Sequence, residues 1–125
     1  MSILLDTHVF IWALENNPTL SDDAGNAITG GRNVVFVSSA TVWEINIKKS
    51  IGKLDVPDNL LNEMKSHRFT PLDINFDHAE FSGKLPYIHK DPFDRMLIAQ
   101  AIIEKLVLVT RDNFIAKYDV NVLRA

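Results

Sequence analysis

The sequence predicts an α/β fold, a small parallel β-sheet flanked by helices on both faces, and three observations carry that prediction. Short apolar runs alternate with segments of helical periodicity, as in strand–helix–strand units. The clearest runs, Ile3–Leu5, Val34–Val37 and Leu106–Val109, are continuously apolar, as strands buried on both faces are. Each ends in small or acidic polar residues: Asp6-Thr7, Ser38-Ser39 and Thr110-Arg111-Asp112. At 125 residues the chain reads as one domain, 1–125, long enough to bury a core.

The elements follow in order. His8–Glu15 reads as a helix carrying Val9, Phe10, Trp12 and Ala13, broken at Asn16-Asn17-Pro18. Ser21 or Asp22 caps a second helix that stops at Gly30-Gly31. After the second strand a helix runs from near Ala40 to Ser50 and closes at Gly52. Pro57 starts another, with Leu60, Leu61 and Met64 facing inward and Arg68 near its end. Residues 69–74 read as a short extended piece, and Asp77–Lys84 as a short helix before Leu85-Pro86. A central helix opens with Asp91 as N-cap and Pro92 at its first position. Its apolar residues Leu97, Ile98, Ala101 and Ile102 fall at helical spacing. Asn113–Lys117 makes a helical turn beyond the third strand, and Val120–Leu123 an edge strand.

Composition narrows the function classes. The net charge of −3 argues against a protein that coats nucleic acid non-specifically, though it leaves room for a nucleic-acid enzyme with a local basic rim. With no cysteine there are no disulfides, thiolate nucleophiles or cysteine zinc sites, which fits an intracellular compartment. Met1–Leu5 meets Asp6 before any signal-like apolar region can form, and no run is long enough to span a membrane. A cytoplasmic protein without membrane contact is expected. No repeat or linker divides the chain.

Two acids interrupt apolar helix faces. Asp94 shares a face with Leu97 and Ile98, where a carboxylate is costly unless something positive or hydrogen-bonding meets it. Glu44 shares a face with Ala40, Ile47 and Ile51. A structural reading stands beside each: Asp94 bonding back to the Asp91 N–H, and Thr41-x-x-Glu44 as a capping box. Asp6 can likewise be a helix cap and Asp112 a turn residue. Taken together they point elsewhere. Ligands of open parallel sheets bind beyond the carboxyl ends of the strands, so Asp6, Glu44, Asp94 and Asp112 can gather along one edge. Four adjacent carboxylates repel, and a hard divalent cation such as Mg²⁺ or Mn²⁺ relieves that. Two such ions roughly 4 Å apart are the standard arrangement for in-line attack on a phosphodiester.

Other chemistries find less support. His8, His67, His78 and His89 are scattered without zinc spacing, and no nucleophile-elbow, Walker or dinucleotide glycine motif occurs. Ser38-Ser39, Thr7 and Thr110 read as helix caps or as hydrogen-bond partners of the acids. Lys48, Lys49, Lys53, Lys84, Lys90 and Arg95 are either a solvated surface or a rim for RNA phosphates. His89 reads as a surface or packing residue, and Arg95 as a partner of Asp91 or of substrate. Trp12 and Trp43 read as core or interface rather than as stacking platforms.

The motifs Leu-Leu-Asp-Thr-His (4–8), Ser-x-x-Thr-Val-Trp-Glu (38–44), His-x-Asp-Pro-Phe-Asp-Arg-Met-Leu-Ile-Ala-Gln-Ala (89–101) and Leu-Val-Thr-Arg-Asp (108–112) together resemble a PIN-domain ribonuclease, of the kind found as toxins in VapBC-type toxin–antitoxin pairs. The likeness spans nearly the whole chain, and the central motif is its most specific part. It implies a PIN-like fold and Mg²⁺- or Mn²⁺-dependent endoribonuclease activity. It also implies a homodimer and a cognate antitoxin as partner. The family's four acidic metal-binding positions correspond to Asp6, Glu44, Asp94 and Asp112. Asp91 belongs to the motif but reads as a helix cap. Two further readings stay open: a non-catalytic partner- or RNA-binding module, and an aspartate-based phosphatase or phosphotransfer domain. The latter lacks an aspartate two residues after Asp6 and an evident strand-end lysine.

Overall fold

The computed structural model describes residues 1–125. The elements are β1 (Ser2–Leu5), α1 (Thr7–Leu14), α2 (Asp22–Thr29), β2 (Val34–Ser38), α3 (Ser39–Ser50), α4 (Leu60–Ser66), β3 (Thr70–Leu72), α5 (Phe76–Lys84), α6 (Pro92–Glu104), β4 (Val107–Thr110) and β5 (Val122–Arg124). A 3₁₀ turn, Ile115–Lys117, joins the last two strands. All five strands are parallel, in the order β3-β2-β1-β4-β5. The expected α/β architecture is therefore present.

Pleating divides the core in two. Ile3 and Leu5 of β1, Val35 and Val37 of β2 and Val109 of β4 face one side, where they pack with Val9 and Phe10 of α1, Ala24 of α2, Ile45 of α3 and Met64 of α4. Leu4 and Leu108 face the other, against Leu97, Ile98 and Ala101 of α6 and against Ile115. Burying both faces explains why these strands are continuously apolar. Each large side chain removed from water here contributes roughly 1.5–3 kcal/mol.

The topology positions the site. From β1 the chain builds outward through β2 and β3, then crosses back to lay β4 on the opposite side of β1. The direction reverses between β1 and β4, and open α/β sheets bind ligands beside such a switch point. The register brings Leu5 opposite both Val37 and Val109, so Asp6, Ser38 and Thr110 leave the sheet at one level.

Several helix faces differ from expectation. Leu61 is 53% exposed, because α4 is capped by Asn59 rather than begun at Pro57 and buries the i, i+4 pair Leu60 and Met64. On α3 the buried positions are Ala40, Thr41, Glu44 and Ile45, which turns Ile47 and Ile51 to the surface. Trp43 is exposed as well, its edge against Phe93 at 5.1 Å between ring centroids, so it is not core. The last strand lies about two residues beyond its expected place. No helix is long and apolar enough to cross a membrane.

Candidate metal centre

Asp6 follows β1 directly and caps α1: its Oδ1 accepts the Val9 N–H at 2.8 Å. The helix N-terminus and its dipole favour a carboxylate there. Its Oδ2 accepts the Thr110 hydroxyl at 2.5 Å, and the same Thr110 oxygen accepts the Asp112 N–H at 3.0 Å. One threonine thus joins the ends of β1 and β4 and sets where Asp112 begins. Asp112 Oδ1 accepts the Phe114 N–H at 2.7 Å, which closes the turn. Burial pushes the Asp6 carboxyl above its ordinary range, and the bonds from Thr110 and Val9 offset part of that.

Asp94 sits in the first turn of α6 and does not bond back to the cap residue. Asp91 Oδ1 accepts the N–H groups of Phe93 and Asp94, while the Asp91 N–H goes to His89 Nδ1 at 3.2 Å. With the capping position taken, the Asp94 carboxylate is free to project into the cleft. Burial, then the charge of Asp91, raises its pKa to about 7, with Asp6 and Glu44 adding to the rise and His89 opposing it. His89 Nε2 lies 3.0 Å from Asp94 Oδ2 and 2.9 Å from Asp112 Oδ2. Burial pushes the Asp112 carboxyl up, but the His89 bond and the backbone N–H groups of Phe114 and Ile115 outweigh it and hold the group below its usual range.

Glu44 is buried on α3, beneath the same edge. It accepts the Thr7 hydroxyl at 2.7 Å and the Lys48 ammonium at 2.8 Å, and the Thr7 and Thr41 hydroxyls lie 3.3 Å apart. The expected Thr41 capping box does not form, because Ser38 caps the helix three residues earlier and Thr41 is buried within its first turn.

Asp6, Asp94 and Asp112 line one cleft of about 310 Å³ with His8, Trp12 and Arg111. Arg111 stacks over Trp12 at 4.1 Å and donates to the carbonyls of Thr19 and Ala125, so its fork is spent on holding the rim. The donors facing the cleft are carboxylate oxygens, the set that hard divalent cations prefer. Within the cluster, Lys48 neutralises Glu44 alone. Asp94 is buried and lies near three further carboxylates, Asp91, Asp6 and Glu44, and a divalent cation suits such a donor set.

The sequence matches the PIN domain family over residues 3–121. The chain belongs to the PIN-domain family. Its fold is similar to that of VapBC2 from Rickettsia felis bound to a promoter DNA fragment (TM-score 0.74, 17% identity, covering 100% of this chain and 99% of that one). It is also similar to DNA-bound VapBC from Salmonella typhimurium (TM-score 0.68, 21% identity, 99% and 98% covered). A toxin–antitoxin complex from Klebsiella pneumoniae shares it too (TM-score 0.67, 21% identity, 97% and 95% covered). No curated protein matches the sequence.

In this PIN domain, three of the four acids anticipated from the sequence meet in the cleft, and Glu44 stands behind them, ion-paired. The residue that sequence reasoning missed is His89. Its donor nitrogen and single oxygens of Asp94 and Asp112 all lie within 4.8 Å of one another. The available signal was its place two residues before the Asp91 cap, from which its ring reaches the cap's N–H. Arg95, expected beside Asp91 or substrate, instead donates to the carbonyls of Ser82, Leu85, Pro86 and His89. The lysines read as either a solvated surface or a rim are partly self-paired: Lys49 bonds Asp58, and Lys84 lies 3.5 Å from Glu80.

Proposed function

We propose that this PIN domain is a metal-dependent endoribonuclease that hydrolyses RNA phosphodiester bonds and acts as the toxin of a VapBC-type toxin–antitoxin pair. The observation that carries the reading is the convergence of Asp6, Asp94 and Asp112 on one cleft at the β1/β4 switch point. Asp6, Asp94 and Asp112 would hold Mg²⁺ or Mn²⁺ directly. Glu44, behind them, would join the set when Lys48 releases it. A divalent ion held there supplies positive charge at the scissile phosphate and makes an attacking water more acidic. The chain's own work is to orient these oxygens through Thr7, Thr110 and the Val9 N–H, and to keep their surroundings partly dry so that charge counts.

Partner binding is supported by the described complexes of similar fold, and by large apolar side chains left at the surface. Trp43, Ile47 and Ile51 of α3 and Leu61 of α4 are all exposed, and Trp43 and Leu61 border one apolar hollow. A cognate antitoxin and a second copy of the chain are the occupants the reading calls for. The phosphotransfer alternative fares poorly, since His8 stands two residues after Asp6 and no lysine lines the cleft.

The test is cleavage of a mixed RNA pool by purified protein with Mg²⁺ or Mn²⁺, with EDTA, and with Asp94→Asn. Cutting that needs metal and vanishes in the variant is expected. Cutting that survives both EDTA and Asp94→Asn refutes the assignment. A folded chain that binds no metal and cuts nothing leaves the non-catalytic binding module in its place.

A further inference from the structure

His89 lies outside the acidic set, yet its ring reaches two of its members. Its Nε2 faces Asp94 on α6 and Asp112 beyond β4 at 3.0 and 2.9 Å, two carboxylates that no shared element holds together. Its Nδ1 accepts the Asp91 N–H, so a neutral ring carries its proton on Nε2 and donates it to Asp112 Oδ2, with Asp94 Oδ2 alongside. A protonated Nε2 has no lone pair to offer a cation. The backbone on either side is tied down: the His89 N–H donates to Tyr118 Oη at 2.7 Å, and the His89 carbonyl accepts from Arg95 at 3.3 Å. Tyr118 Oη in turn donates to the Pro86 carbonyl at 2.7 Å. Arg95 and Tyr118 therefore brace the loop before α6 with the imidazole as its working end.

We propose that His89 is a positioning residue of the metal centre, whose ring bonds Asp112 through Nε2–H, sits against Asp94, and so sets the separation and aim of the two acids for the ion. The inference rests on the metal-dependent reading above and adds to it a group that is not itself a ligand. Removing a group that orients a metal's ligands weakens metal affinity, because the ligands must then be ordered at the moment of binding.

The experiment is Mn²⁺ titration by calorimetry, with no RNA present, on the wild type, His89→Ala, His89→Gln and Asp94→Asn, with folding of each checked by circular dichroism. His89→Ala is expected to weaken Mn²⁺ binding roughly 10–100-fold. His89→Gln, whose amide nitrogen can stand where Nε2 stands, should restore most of that loss. Electron spin echo spectra of wild-type Mn²⁺ should show no directly coordinated imidazole nitrogen. Equal or tighter binding by a folded His89→Ala overturns the proposal, as does a coordinated imidazole nitrogen that disappears in His89→Gln. If Asp94→Asn abolishes binding while His89→Ala leaves it intact, the inference about His89 falls alone. A wild type that binds no Mn²⁺ removes it together with the metal-dependent function.

Discussion

Thr110 donates its hydroxyl to Asp6 across 104 residues of sequence, at 2.5 Å, and by that bond the carboxyl ends of β1 and β4 become one site. Both residues are buried, so neither can exchange its partner for water. Thr110→Val should therefore cost about 1–3 kcal/mol, because a buried carboxylate loses a donor while the shape is kept. Thr110→Ser, which retains the hydroxyl, should recover most of it. Urea unfolding midpoints of the three proteins check this.

Asp94 gives the metal-free protein a distinctive pH dependence. Its pKa rises from 3.8 to about 7 on folding, so between those values the native state keeps a proton that the unfolded chain has released. Its contribution is full below about pH 4 and is lost as pH rises through about 7. Asp112, whose pKa is lowered, acts in the opposite sense, so the comparison should be with Asp94→Asn. In EDTA, that variant should match the wild type near pH 4 and exceed it at pH 8 by of order 2–4 kcal/mol. Denaturant melts at the two pH values decide it; a difference that does not grow with pH contradicts the assigned shift.

A cation that binds the native state alone should reverse that penalty. At a concentration 100 times its dissociation constant it adds about 2.7 kcal/mol, seen as a rise in Tm that EDTA removes. Asp94→Asn and Asp112→Asn should lose the rise. Asp58→Asn, at an exposed carboxylate bonded to Lys49, should keep it. Thermal scans with and without Mn²⁺ make the comparison.

Arg95 is a test of framework rather than chemistry. Its guanidinium meets four backbone carbonyls, so Arg95→Ala should destabilise the fold by about 2–4 kcal/mol. Lysine cannot reproduce the planar fork, and Arg95→Lys should recover little. The measurement is again the urea midpoint, and full stability in the lysine variant would contradict the fork argument.

Much of this protein was legible in its sequence for local reasons. Continuous apolar runs betray strands covered on both faces, and Asp91-Pro92 announces a helix start. Acids on apolar faces identified Asp94 and Glu44 because charge in such places demands compensation. The errors share one cause. Ile47, Ile51 and Leu61 satisfy helical spacing, yet spacing reports only that residues share a face, and packing chooses which face is covered. The two capping boxes weighed as structural alternatives do not form, because Ser38 caps α3 first and His89 takes the Asp91 N–H.

The sequence by itself determined the α/β class, the order of the elements and which acids were candidates for the site, since hydrophobic periodicity and cap chemistry act over a few residues. Only the tertiary structure decided how those acids divide. Asp6, Asp94 and Asp112 face the cleft, Glu44 is held behind by Thr7 and Lys48, and His89 stands between two of the others. Hydrogen bonds such as Thr110 to Asp6 join residues far apart in the chain, and their existence depends on strand order and register, which no local pattern encodes.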